Sequence, residues 1–386
     1  MIPQSNCRKL TRSILILILI ELACGSSKVA GEEPVTLANV EDFASKLGLD
    51  PDGRAGLSML DEPYLDQFSL AAAKSFLDTS ALYWQKKKNC FSCHTNFPYL
   101  MARPLLGAND TAHRQVRAFA EAIVSERWPA PEPNDSPAKV GFSTEVVGIA
   151  AALALNDAAT TGKLENVTRT ALDRMWTVLR DDGSFTWYEG AAPPSEIGPH
   201  YGVTMALIGV GAAPDGYSDT PQAKAGVEQL CGYLRNQPAN SPHRAGMLLW
   251  AASYFDDLLT TDDRRRRIHE LCALQHEDGG WSLASLGNWT YEDGIRPATI
   301  ESDGYGTGFV IYVLRRSGVP ADDPRIQSGI RWLMSNQRAS GGWFTPSQTR
   351  KGRNSISRAG SALAILALNA CDQIPGAGIT GAKSAK

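Results

Sequence analysis

The stretch Asn89–Leu100, NCFSCHTNFPYL, holds two cysteines three residues apart, followed at once by a histidine. Cys90-x-x-Cys93-His94 is the spacing of a c-type haem attachment site. Two thiols at that separation reach two vinyl groups of one porphyrin, and the adjacent imidazole ligates the iron axially. With seven Cys and six His in 386 residues, the pattern is rare by chance. Three other readings stay open. Zinc would need a fourth ligand, for which His113 or His200 is the candidate. A redox dithiol normally opens a helix in a βαβ context, which this chain lacks. A structural thiol pair is the third. The sixth iron ligand is undetermined: Met101, seven residues after His94, lies on the same side of a continuing helix, and Pro98 and Pro104 would disturb that helix. His113, His200 or an open position are equally allowed.

Covalent haem is attached outside the cytoplasm, so the N-terminus matters. Arg8, Lys9 and Arg12 precede the apolar run Ser13–Ala23, the pattern of an export signal. The run is short for a membrane-spanning helix. Cys24, in LACGSS, resembles a lipoprotein cleavage site, which Glu21 and Leu22 fit poorly. The folded part is thus expected to be exported, periplasmic or anchored on the outer side of the membrane through this segment alone. No other stretch reads as a membrane span. The remaining cysteines, Cys231, Cys272 and Cys371, lie singly in apolar stretches and read as buried thiols. A formal net charge of −3 gives no bulk attraction for nucleic acid or anionic membrane.

The elements that position the motif come in a repeat. Arg267–Gly287 and Arg325–Ser347 both carry a helix, then Gln, three residues, Gly, one residue, Trp: Gln275, Gly279, Trp281 and Gln337, Gly341, Trp343. Each turn is followed by a more apolar helix, within Asp303–Gly318 and Ser357–Cys371. Weaker copies lie upstream, giving six helical hairpins that start near residues 67, 113, 166, 222, 263 and 325. The first helix of each is amphipathic; the second is small and apolar on all sides, so it must be buried on all sides. Six such helices form an inner ring under six outer ones, an all-α (α/α)6 toroid. The expected layout is an export segment over 1–30, an N-terminal arm over 31–64, the toroid over 65–372 and a flexible tail over 373–386. In the first hairpin, the Cys-x-x-Cys-His cassette stands where the Gln-x-x-x-Gly-x-Trp turn should be.

These turns, with the Asp303-Gly304-Tyr305-Gly306-Thr307 helix start, resemble the squalene–hopene cyclase and protein prenyltransferase repeat superfamily. The resemblance is specific over roughly 260–370 and weak over 65–260. It implies an (α/α)6 toroid and an apolar, isoprenoid-like ligand. Its catalysts do not carry over. The cyclases' Asp-x-Asp-Asp acid motif is absent, since Asp256-Asp257 and Asp262-Asp263 lack the third Asp. Where the prenyltransferases' zinc site has Asp-Gly-Cys and a later His, this chain has Asp303-Gly304-Tyr305 and Arg358. Polar residues near the inner-helix starts are the remaining cavity-mouth candidates: Glu145, Glu196, His200 and His243, with Glu301 and Asp303 as catalytic candidates. Each carboxylate has a competing reading as a helix cap. Three functions follow as expectations: a haem redox or electron-transfer protein with a partner protein or a lipid in the barrel; a binding or scaffold toroid; and a cyclase using Asp303 as a non-standard acid.

Overall fold

In the computed structural model, residues 33–48, 61–129, 140–187, 198–297 and 301–375 are described. The export segment, Cys7, Cys24, Glu196 and residues 376–386 lie outside them. Among the described residues there are thirteen α-helices and two isolated β-bridges. A short α1 (Val40–Lys46) is followed by six pairs. These are α2 (Leu70–Lys88) with α3 (Asn96–Ala102), α4 (Thr111–Ala122) with α5 (Val140–Thr160), and α6 (Asn166–Thr177) with α7 (His200–Ala212). Then come α8 (Pro221–Asn236) with α9 (Pro242–Ala251), α10 (Thr261–Cys272) with α11 (Gly304–Arg316), and α12 (Pro324–Ser335) with α13 (Ser357–Ala370).

The second members form a closed ring: α3 packs on α5, α5 on α7, α7 on α9, α9 on α11, α11 on α13, and α13 back on α3. The first members lie outside, each against inner helices. This is the (α/α)6 toroid, and its cause is compositional. Every residue of α11 from Gly304 to Leu314 and of α13 from Ser357 to Leu368 is buried. Small residues let the inner backbones approach: a Cβ on Gly209 would lie 2.7 Å from the Ala151 Cα, and one on Gly308 would lie 2.5 Å from the Ala364 nitrogen. The outer helices begin where the sequence offers side-chain caps, at Ser69, Asp110, Thr220, Thr260 and Asp323. Among the described residues one helix, Gly141–Thr160 within α5, is long and apolar enough to cross a membrane, contrary to the expectation that no stretch beyond the N-terminal run is. It is mostly buried as an inner-ring helix, where the same composition serves.

The Gln-x-x-x-Gly-x-Trp turns are clamps between neighbouring repeats. Gln275 donates to the carbonyls of Gly279 and, across the gap, Arg325 at the start of α12. Gln337 does the same toward α2, donating to the Ser69 carbonyl at 2.9 Å and accepting from the Ser69 N–H at 2.8 Å. The Trp indoles reach back to their own outer helix, Trp281 to the Leu271 carbonyl and Trp343 to that of Leu333. Three glycines with positive φ touch the next outer helix: Gly183 at Gln229, Gly279 at Ser328 and Gly341 at Ala72. Gly183 shows that the weak third copy, DDGSFTW, keeps the clamp's geometry without its Gln. The arm belongs to the same body: α1 packs on α2, and Pro63 and Leu65 bond to the sixth turn.

Candidate functional site

At the first turn the clamp is replaced. Asn89 leaves α2 in the left-handed conformation, at φ 45°. A tight turn follows in which the Ser92 carbonyl accepts from the amides of Thr95, Asn96 and Phe97. The Asn96 side chain closes it, accepting from the Ser92 N–H and donating to the Ala81 carbonyl on α2. Pro98 is tolerated because it occupies the third position of α3, where the amide would have no helical partner. Pro104 ends the α-helix, and Arg103–Leu106 continue as a 3₁₀ turn. Below the cassette, Arg103 is fully buried and bonds Asp78 on α2 through both carboxylate oxygens, at 2.6 and 3.1 Å. Tyr99 adds a third bond to Asp78 at 2.7 Å. The helix that follows the motif is therefore tied to the helix that precedes it.

Cys90 is exposed and Cys93 half-buried, and they are not joined in a disulfide. Although Cys90 as a residue is exposed, desolvation of its sulfur raises the thiol pKa, opposed by a hydrogen bond from Trp84 and by the Arg127 charge, so it is a thiol at neutral pH. His94 is half-buried and packs against the edge of Trp84, with centroids 4.7 Å apart. Its Nδ1 is held by the Thr95 hydroxyl at 2.8 Å, which leaves Nε2 as the nitrogen for a metal. Burial, then the charge of Arg358, pushes its pKa down to about 3, so the imidazole is neutral, the form that ligates.

The residue types and their spacing are those a c-type haem attachment would use. Two thiols stand at the rim, one exposed, and one neutral imidazole has its far nitrogen pinned by a neighbour. The zinc alternative has less to draw on: among the described residues, no group of three or more His, Cys, Asp or Glu is placed to hold a metal ion. Haem does not need such a group, since the porphyrin supplies four nitrogens. His113, weighed as a ligand, caps the start of α4 beyond the far end of α3. Its Nδ1 accepts from the Asn109 amide and its Nε2 lies 2.9 Å from the Asn156 side chain.

Along the toroid axis, inner helices line a partly open cavity of about 30 Å³. Cys93, Met101, Met205, Met247, Tyr305 and Phe309 are among its walls. A space of this size holds a water or two, far below the roughly 300–1,000 Å³ of ordinary ligand pockets. The ring is filled by its own aromatic and thioether side chains.

The other sequence candidates are dispersed. His243 is fully buried, bonded through Nε2 to the Tyr305 hydroxyl at 2.9 Å and stacked on Phe309. His200 is buried in the first turn of α7. Glu145 braces the end of the second outer segment, accepting from the Trp128 indole and pairing with Arg127. Glu301 is exposed. Asp303 is buried and acts as a cap: Oδ1 accepts from Gly306 N–H at 2.8 Å and from Thr345, and Oδ2 from Leu283 N–H at 2.6 Å. It is absent from the cavity wall. Sequence reasoning missed Trp84 and Thr95, whose places beside His94 follow from the turn geometry, and it met Arg358 only as a substitution for a histidine.

No family model matches the chain, and no curated protein matches it. Among solved structures, ent-copalyl diphosphate synthase from Streptomyces platensis is similar, at 12% identity and TM-score 0.48, over 88% of this chain. The match spans 66% of that longer chain. The GH76A alpha-1,6-mannanase from Salegentibacter sp. HEL1_6 is similar at 12% identity and TM-score 0.45, over 88% of this chain and 98% of that one. Both are helical toroids. Likenesses this distant carry nothing about activity.

Proposed function

We propose that the protein is an exported electron-transfer toroid carrying one covalent haem c through Cys90, Cys93 and His94. One observation carries the reading: a Cys-x-x-Cys-His cassette replaces a structural clamp at the rim, with an exposed first thiol and a neutral His94 pinned through Nδ1. Haem would supply one-electron chemistry at an accessible edge. The chain's own part is to hold the axial imidazole in one orientation, keep it neutral and fix the cassette through the Asp78–Arg103–Tyr99 anchor. The natural partner is a redox protein that docks at the rim. The basic and apolar N-terminal pattern supports a site outside the cytoplasm, where haem attachment takes place. The filled axial cavity favours a scaffold role for the ring over a lipid site inside it. Acid-catalysed cyclisation gains no support from Asp303, whose two oxygens are occupied by amide donors.

The test is a pyridine haemochrome spectrum after acid–acetone extraction of protein made in a host with cytochrome c maturation. The expected result is a retained c-type α-band that disappears in His94→Ala and in Cys90→Ala/Cys93→Ala. Folded, exported wild-type protein without covalent haem would sink the reading.

A further inference from the structure

We propose that Met101, Met205 and Met247 form a thioether site for one soft monovalent cation, Cu(I), on the axis of the toroid. The inference goes beyond the haem reading and does not depend on it, since the three ligands lie outside the Cys-x-x-Cys-His motif.

The three methionines come from three inner helices, α3, α7 and α9, which the closed ring brings to one axis. All three are buried, and all three line the axial cavity. The chain has seven methionines, so nearly half of them meet at one small space. Methionine often fills irregular gaps in a core. Filling alone would close the gap, whereas a space of about 30 Å³ is left between these walls. That is room for a single ion and not for an organic ligand. The cavity is partly open, which gives the ion a way in. The walls then select which ion. Among the described residues no carboxylate and no imidazole lines the cavity. Beside the methionines stand Cys93 and aromatic and aliphatic side chains, such as Phe97, Trp250 and Phe309. Hard cations need several oxygen ligands, and zinc needs imidazole or thiolate to complete its four. Thioethers are soft and neutral, a donor set that selects Cu(I). A monovalent ion also brings the smallest charge into an apolar interior. Cys93 adds a fourth sulfur on the same wall, which the site does not require. Under the haem reading that sulfur is a thioether as well.

The experiment loads the full-length, selenomethionine-labelled protein with one equivalent of Cu(I) under argon and reads the neighbours of the metal by copper K-edge X-ray absorption. Selenium marks a methionine ligand and sulfur a cysteine, so the assignment needs no substitution. Wild type and Cys90→Ala/Cys93→Ala are both measured, the second to remove the motif's thiols as competitors. Three selenium neighbours are expected in the cysteine variant. Fewer than three, with sulfur in their place, gives the ion to Cys231, Cys272 or Cys371 and overturns the site. Should that variant not fold, the wild type decides by the same count. Competition with the Cu(I) chelator bathocuproine disulfonate then tests the ligands singly. Met205→Leu and Met247→Leu keep the volume and remove the sulfur, and each is expected to weaken binding roughly tenfold or more. Met175→Leu, buried in α6 and absent from the cavity wall, is expected to bind as wild type does. Equal affinity in wild type and in both cavity variants overturns the proposal. Protein without covalent haem that still shows three selenium neighbours supports the site and sinks only the haem reading.

Discussion

At the scale of single residues, the same residue type does different work according to burial. Asp303 and Asp78 are both buried carboxylates, but one faces backbone amides and the other a guanidinium. Desolvation raises the Asp303 pKa to about 7, against the lowering effect of its amide and hydroxyl donors. Its folded value then lies above its unfolded value near 4, so the folded state keeps a proton that the unfolded chain releases. Its contribution is fully present below about pH 4 and is lost as pH rises toward 7, by on the order of 4 kcal/mol. Asp303→Asn removes that titration and turns an amide donor toward an N–H. It is expected to be less stable than wild type at pH 5, by about 2–3 kcal/mol or more, with the gap narrowing at pH 8. Urea unfolding at the two pH values measures it; a constant gap would mean that Asp303 is ionised throughout. Asp303 was legible in the sequence as a polar residue at an inner-helix start, with a cap as its competing reading. What separated cap from catalyst was the position of Leu283 and Thr345, distant in the chain.

At the scale of elements, the repeat was legible because composition differs between the two helices of each hairpin. Outer helices alternate polar and apolar faces, and inner helices are apolar on every side. The expected hairpin starts fall within a few residues of α2, α4, α6, α8, α10 and α12. The Gln and Gly of the turns were legible as a motif, but their role as inter-repeat clamps was not, since it depends on which helix lies alongside. Gly341 makes the point. Its φ is 93°, and a Cβ there would lie 2.2 Å from the Ala72 carbonyl oxygen. Gly341→Ala is expected to cost roughly 3 kcal/mol, from backbone strain and from a backbone clash that no flexible side chain can relieve. A control, Gly352→Ala, also has positive φ but meets nothing within 4 Å, and should cost less. Chemical denaturation of the two variants separates strain from clash; equal losses would remove the clamp from the explanation.

At the scale of the whole molecule, ring closure joins the last repeat to the first and brings Arg358 to the Cys-x-x-Cys-His cassette. It also decides what the axis can hold. With a cavity of about 30 Å³, addition of a C30 isoprenoid is expected to leave the thermal melting midpoint unchanged, by differential scanning fluorimetry of the detergent-solubilised lipid with the protein. A rise would mean that the ring opens and that the barrel takes a lipid after all. The sequence by itself determined the helical hairpins, the toroid and the motif, because each is written in local spacing: the 3.6-residue period, the turn pattern and two thiols beside an imidazole. It did not determine whether the barrel is hollow, or which charges stand beside His94. Those depend on six helices converging on one axis and on residues more than 250 positions apart meeting at a seam, and only the packed tertiary structure fixes such distances.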